Sequence, residues 1–323
     1  MKLQKGTGLA NGKIILAGEH AVVYHKPAIA LPINAVFVKA DIVTATKGQT
    51  IECELYSGDL QSMPASMAGL QFAIQKAFLL ASSKEVTSHA FVLSIESTIP
   101  AERGMGSSAA VSVAVVRAIF DFFNTPLSDA TLWDIVQGAE TISHGNPSGV
   151  DTATTSGTRP VFFQKEQELQ TLELDMPAYL VIADSGVTGN TKQAVNHVST
   201  LQERIIDPTT NETGSDAVQS IGAIVQDTRT AIETKDPLKL GQLMNSNHDR
   251  LKKLGVSHDI IEALVSTAHE NHALGAKVTG GGLGGCMIAL VATENDALHL
   301  QEQFMKKGAQ AVWIQSLAKK EKS

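Results

Sequence analysis

Cysteine is nearly absent. Two thiols, Cys53 and Cys286, stand far apart in 323 residues. Both lie in strand-like stretches, and such a pair builds neither a disulfide framework nor a zinc site. They read as buried, reduced thiols of a cytosolic protein. A surplus of positive charge is missing too: 26 lysines and arginines against 33 aspartates and glutamates leave a formal charge of −7. Without a basic field there is little to draw nucleic acid or an anionic membrane, and the cluster Lys319, Lys320 and Lys322 reads as a solvated tail. Long apolar runs are also lacking. The most apolar helical segment, 109–123, is interrupted by Arg117 and Asp121 and is too short to span a bilayer. Lys2 and Lys5 are followed by no apolar core of a secretory signal, and no internal repeat or low-complexity tract stands out. The expectation is a soluble, cytoplasmic chain with neither nucleic acid nor membrane as partner.

What is present is an ordinary globular composition, 43% hydrophobic and 18% charged, on a length that supports a large core and two domains. Val-, Ile- and Ala-rich stretches bounded by Gly, Pro, Asn or Ser predict strands over 13–17, 28–38, 41–45, 50–54 and 91–95. The spacing of Met67, Leu70, Ile74, Ala77 and Phe78 predicts a helix over 64–80. Two more helices follow over 107–123 and 128–143, the second capped by Ser128. Residues 161–164 and 171–174 pair as a short hairpin. The pattern then shifts. A strand over 179–183 leads to helices over 191–205, 215–233, 237–251 and 258–272. Strands over 277–279 and 286–292 flank a glycine loop, and a helix over 296–307 and a strand over 310–314 close the chain. The shift sets a boundary near 176–179, giving an N-terminal domain over 1–177 and a C-terminal α+β domain over 178–323. The polar stretch 207–214 is expected to be a mobile loop.

Chemistry concentrates in four islands. Residues 100–114 read PAERGMGSSAAVSVA: Gly104 and Gly106 permit a positive φ or a close backbone approach, Ser107 and Ser108 follow, and a helix begins. A glycine loop opening on a helix N-terminus is an anion site, because unpaired N–H groups and the positive end of the dipole converge there. Hydroxyls at that point suit Mg²⁺ beside phosphates. A nucleotide triphosphate cradle and an ordinary strand–turn–helix link with serine N-caps both fit this island alone. Residues 12–24, GKIILAGEHAVVY, place Lys13 before a strand and Glu19 and His20 after it. Lys13 is either a solvated edge residue or, with Glu19 and His20, a contact for a polar substrate. Residues 140–151, ETISHGNPSGVD, carry Glu140 on a helix and Asp151 beyond a turn rich in Gly and Pro. That spacing can deliver both carboxylates to one cleft, one to ligate Mg²⁺ and one to receive or orient a hydroxyl proton; capping of the turn by Asp151 is the alternative. Residues 277–290, KVTGGGLGGCMIAL, hold glycine from Gly280 to Gly285 except at Leu283. This is either a plain glycine hairpin or a tight loop whose backbone closely approaches a phosphate cradle or another strand.

In this order the islands resemble the signature motifs of the GHMP kinase superfamily, and the resemblance runs from Lys13 to the closing strand. Within the superfamily it is greatest to the members that phosphorylate mevalonate, on Gly18-Glu19-His20 and on residues 144–151, HGNPSGVD. Galactokinases typically continue the GEH triplet with Thr-Asp where this chain has Ala21-Val22, and phosphomevalonate kinases usually carry a tyrosine where His20 stands. The resemblance implies an α+β, two-domain GHMP kinase fold: an N-terminal mixed α/β domain, a C-terminal ferredoxin-like α+β domain and an active site in the cleft between them. It implies transfer of the γ-phosphate of ATP, with Mg²⁺, to the 5-hydroxyl of (R)-mevalonate in isoprenoid synthesis, and a homodimer as the assembly. Residue by residue, it implies Asp151 as base or orienting carboxylate with Lys13 beside it, and Ser108 and Glu140 as Mg²⁺ ligands. It turns Pro100, Gly104, Met105, Gly106, Ser107, Ser108, Ala109, Thr191 and Lys192 toward the nucleotide, and Lys13, Glu19, His20, Tyr24, Asp151 and Gly281 toward mevalonate. The chain departs from the family pattern at Met105, which replaces a leucine, and at Glu102 and Arg103, where many relatives carry smaller residues. Those two charges are expected to alter nucleotide or inhibitor affinity without changing the reaction class. The rival readings are another kinase of the superfamily, acting on phosphomevalonate, galactose or homoserine, and a catalytically silent ligand sensor on the same fold. Having Lys13, Ser108, Glu140 and Asp151 together weighs against the sensor.

Overall fold

A computed structural model describes residues 4–145 and 147–319. Asn146 of the third island and the tail residues Lys320 and Lys322 lie outside the described residues. The chain packs as two compact units, the first of Met1–Gly12, Val36–Pro100 and Gly106–Thr158, the second of Lys13–Ala35, Ala101–Met105 and Arg159–Ser323. Two long strands, β1 (Lys5–Ala17) and β2 (Ala28–Thr44), pass through this division, and each contributes residues to both units.

In the first unit the later half of β2 pairs antiparallel with β5 (Phe91–Ser97), and β3 (Gln49–Cys53) joins β5 in parallel and β4 (Tyr56–Asp59) in antiparallel fashion. Helix α1 (Ala68–Ser82) buries Ala73, Ile74, Ala77 and Phe78, and the Phe78 ring stacks on Phe91 at 4.7 Å. Helix α2 (Ser107–Phe122) is nearly all apolar and packs on α1 and on α3 (Asp129–His144), which Ser128 caps; the short α4 (Val150–Thr155) follows. The sequence predicts two strands where β2 is one. Val36, Val38, Ala40 and Ile42 are buried alternately while Lys39 and Asp41 pair at 2.6 Å on the other face, so the charged pair interrupts composition without interrupting the pleat. The first half of β1 also escapes the pattern, because its glycines carry no hydrophobic signal. They are there for space: a Cβ on Gly8 would collide with the Ala114 carbonyl of α2.

In the second unit the start of β2 pairs with β6 (Val161–Phe163), and β6 with β7 (Gln170–Thr171), the short hairpin expected from sequence. After β8 (Tyr179–Asp184) come α5 (Thr191–Leu201), the hairpin β9 (Ile205–Asp207) and β10 (Glu212–Thr213), and helices α6 (Gly214–Glu233), α7 (Pro237–Lys253) and α8 (Asp259–Glu270). Strands β11 (Gly275–Thr279) and β12 (Cys286–Val291), helix α9 (Glu294–Lys307) and β13 (Ala311–Ser316) complete the chain. The antiparallel sheet runs β11-β12-β8-β13. Helices between its first and second strands, a hairpin, and one helix before its last strand make the ferredoxin-like α+β arrangement. Val181, Ala183, Met287 and Ala289 meet Leu264, Leu300 and Phe304 in its core. The stretch expected as a mobile loop instead forms the β9–β10 hairpin. Ion pairs tie it to α7: Lys253 to Asp207 and to Glu212 at 2.8 Å each, and Arg250 to Glu212 at 2.7 Å. Cys286 is sealed in the sheet, where burial pushes its thiol pKa well above the ordinary range, whereas Cys53 at the end of β3 is half-buried. No helix of the described residues is long and apolar enough to cross a membrane.

Gly8→Ala drives a methyl into α2, and overpacking of that kind costs about 1–3 kcal/mol. An unfolding free energy in urea lowered by that amount is the expected result; an unchanged midpoint would show that β1 and α2 part easily.

Candidate active site

In the first unit, α2 begins at Ser107 with Gly106 as its N-cap at φ 72°, and no side chain caps the helix. The two serines are therefore inside the helix, which disposes of the N-cap reading. Amides at its first turn are left for an outside acceptor. The Ser108 hydroxyl donates to Glu140 Oε1 at 2.6 Å, joining a residue near the surface of α2 to a carboxylate that α3 buries. His144, one turn further along α3, lies 3.8 Å from the other Glu140 oxygen. Beyond the turn, Gly149 is the N-cap of α4 and Asp151 is its second residue, in the first turn of the helix. Gln137 of α3 holds this turn: its amide donates to the Pro147 carbonyl at 3.4 Å and its oxygen accepts from Thr152 at 3.1 Å. Helix α4 packs against both α2 and α3, which brings Ser107, Ser108, Glu140 and Asp151 into one helical cluster.

In the second unit the GEH triplet, the start of the glycine loop and the glycine hairpin meet. Lys13 is 3% exposed, not a solvated edge residue, and its N–H donates to the Met105 carbonyl at 2.9 Å. Residues Gly280–Gly285 do join β11 to β12 as a hairpin, with Thr279 opposite Cys286. The hairpin also presses on the phosphate-loop limb: a Cβ on Gly280 would stand 2.9 Å from the Gly104 Cα. Only two glycines allow backbones this near. Thr191, first residue of α5, lies against Gly281, and the helix cap is Asn190, whose side chain accepts from the Gln193 N–H at 2.9 Å. Thr191 and Lys192 are exposed beside this cap. Tyr24 ends the turn after GEH, half-buried against the core of the unit.

His20 is buried at φ 61°, and its Nε2 lies 3.0 Å from the Gly281 carbonyl. Burial lowers its pKa to about 4, so the ring is neutral at pH 7. Glu19 is 1% exposed. Its carboxylate receives a hydrogen bond and charge from Lys277 and a second bond from Asn247 at 3.1 Å. Burial pushes Glu19 up and Lys277 down, and each charge opposes the shift of the other. Lys277 also donates to the Val278 carbonyl at 2.7 Å, while Thr279 exchanges bonds of 2.9 Å with the Ile15 N–H and carbonyl. Sequence reading names Glu19 as a substrate contact and passes over Lys277, Asn247 and Thr279. The available signal was a lysine within a strand-like run, at the head of the glycine island.

The chain is similar to known proteins. Residues 72–158 match the family described as GHMP kinases N terminal domain, and residues 228–310 the one described as GHMP kinases C terminal. The mevalonate kinase of Thermococcus sibiricus is 33% identical over 299 residues, which cover 87% of each chain. Among solved structures, mevalonate kinase from methicillin-resistant Staphylococcus aureus MRSA252 is 33% identical with a TM-score of 0.72, covering 98% of this chain and 100% of that one. L. major mevalonate kinase, in complex with R-mevalonate, is 25% identical with a TM-score of 0.80, covering 96% and 94%.

Lys277→Met leaves the Glu19 carboxyl buried without its cation, a loss of about 3–5 kcal/mol by analogy with other broken buried pairs. Adding Glu19→Gln, which keeps an acceptor for Asn247, is expected to recover most of that in urea unfolding. The ring of His20 makes a separate contribution. Below pH 6.5 the unfolded chain binds a proton that the folded chain refuses until about pH 4. Stability attached to this ring is therefore full above 6.5 and lost on the way down to about 4, on the order of 3 kcal/mol in all. His20→Asn is expected to flatten that part of the stability–pH curve; an unaltered slope would place the effect elsewhere.

Proposed function

The chain belongs to the GHMP kinase family, and from that membership we propose that it is a mevalonate kinase, moving the γ-phosphate of ATP to the 5-hydroxyl of (R)-mevalonate. The observation that carries this reading is the 2.6 Å bond between Ser108 and Glu140 beside the uncapped start of α2. A hydroxyl and a carboxylate side by side are hard oxygen donors of the kind Mg²⁺ takes alongside nucleotide phosphates, so the residues fit that ion. Ser108 and Glu140 would hold Mg²⁺, which when bound neutralises charge on the phosphates. Mevalonate as acceptor is supported by the GEH triplet, by the motif that ends in Asp151, and by mevalonate kinases at 33% identity across most of the chain.

In the reaction the alcohol oxygen bonds to the γ-phosphorus while the bond to the β–γ bridging oxygen breaks, and the hydroxyl proton leaves. Asp151 receives or orients that proton, and Lys13 stabilises the carboxylate and the developing alkoxide. Backbone N–H groups of Gly104, Met105, Gly106, Ser107 and Ala109 meet the phosphates after Pro100 opens the loop, and Thr191 and Lys192 bear on the γ-phosphate. Glu19, His20, Tyr24 and Gly281 form the mevalonate side, with the Glu19 carboxylate also engaged by Lys277. The family reading divides the chain into a domain over 1–177 with Asp151 and the phosphate loop and a domain over 178–323 with the glycine hairpin; as packing units the two interleave, with Lys13–Ala35 and Ala101–Met105 in the second. The product, 5-phosphomevalonate, serves isoprenoid synthesis through the mevalonate pathway. The unpaired thiols suit a reducing cytoplasm, and the family resemblance carries a homodimer.

An assay of ADP release over mevalonate, phosphomevalonate, galactose and homoserine tests the reading. Turnover of mevalonate alone is expected; turnover of galactose or homoserine without mevalonate would overturn it. Asp151→Ala is expected to lower kcat about 10²–10⁴-fold, with ATP affinity by calorimetry unchanged. Near-normal turnover in that variant would remove Asp151 from the chemistry.

A further inference from the structure

The two charged residues that set this chain apart from the family pattern, Glu102 and Arg103, lie in the limb Ala101–Met105, which has no regular secondary structure of its own. Backbone tethers hold both of its ends. The Met105 carbonyl accepts from the Lys13 N–H at 2.9 Å, and the Glu102 carbonyl accepts from the Gly189 N–H at 2.9 Å. Glu102 itself sits at φ 56°, a conformation that a residue with a side chain keeps only when its surroundings impose it. The Arg103 side chain imposes the rest. Its Nε donates to Asp184 Oδ1 at 2.9 Å, at the end of β8, and its Nη2 donates to the Gly186 carbonyl at 3.2 Å. The pair is largely withdrawn from water, at 15% exposure for Arg103 and 3% for Asp184. The Gly186 N–H also donates to Asp184 Oδ1 at 2.9 Å, which fixes the acceptor. Opposite, a Cβ on Gly285 would stand 2.9 Å from the Arg103 carbonyl, so the glycine hairpin closes over the same limb.

We propose that Arg103, through its ion pair with Asp184, is the positioning residue that presents the backbone donors of Gly104 and Met105 to the phosphates of ATP. The inference rests on the kinase reading above and adds a residue to it. A loop ordered before its ligand arrives loses less entropy on binding, so the clamp acts on nucleotide affinity and leaves the acceptor side alone. The planar fork matters as well as the charge, because it reaches a carboxylate and a carbonyl at once.

Arg103→Lys keeps a cation opposite Asp184 and removes the fork. Asp184→Asn keeps the acceptor for Gly186 and removes the charge. Each variant is expected to raise KM for ATP about tenfold, the effect of losing one charge-assisted bond. KM for mevalonate and kcat should stay at wild-type values, while the thermal midpoint falls because the pair is largely buried. The double variant should be no worse than either single one, because both break one interaction. An unchanged KM for ATP in both variants overturns the proposal. So does a fall in thermal midpoint with both KM values rising together, which is what a merely structural pair would give. Wild-type turnover of mevalonate, measured first, separates the two claims. If it is absent the functional reading fails, and calorimetric titration with ATP still tests the clamp on the same criterion.

Discussion

An ammonium group shut off from water sets the terms for its surroundings. Lys277 has no exposed surface, and a lone charge in such a place is prohibitively costly. The cost is offset by placement: Glu19 supplies the opposite charge, Asn247 occupies the second carboxylate oxygen, and the Val278 carbonyl takes another of the ammonium protons. An arrangement with so many conditions has one solution. It sets the end of β1 against β11, and with that the positions of His20 and Gly281 above it. Buried polar groups that are fully matched rigidify what they touch, and here they lie under the residues assigned to mevalonate.

A second constraint is that the protein, with a net charge of −7, is proposed to hold a polyanion. Attraction by the overall field is unavailable. The alternative is local and dipolar: amides at the start of α2 and in the glycine limb, placed by backbone contacts. Such placement depends on what is missing from the chain, because Gly104 and Gly280 can adjoin only without side chains. Arg103 makes the complementary contribution, using a long side chain to fasten a segment that its glycine neighbour leaves loose.

The residues assigned to the chemistry stand out in the sequence where their marks are local. Lys13, the GEH triplet, Gly104 to Ser108 and Asp151 announce themselves by type and spacing, and most long helices follow from apolar periodicity and caps such as Ser128. The ferredoxin-like sheet came with the family resemblance. What stayed hidden was decided by contacts distant along the chain. Glu19 and Lys277 are 258 positions apart, and Arg103 and Asp184 are 81 apart; nothing local marks either pair. The β9–β10 hairpin escapes sequence reading because two- and three-residue strands leave no periodic trace, and its order comes from Arg250 and Lys253 on α7. The opening half of β1 was invisible because its information is steric.

The two thiols share an element type but not a fate. Cys286 is enclosed in the sheet and held in its protonated form, which makes it a poor nucleophile, whereas Cys53 ends a strand with part of its surface in solvent. Maleimide chemistry on the native protein would therefore find a single address. A fluorophore or spin label can be attached at Cys53, at the edge of the first unit, without removing a cysteine from the core.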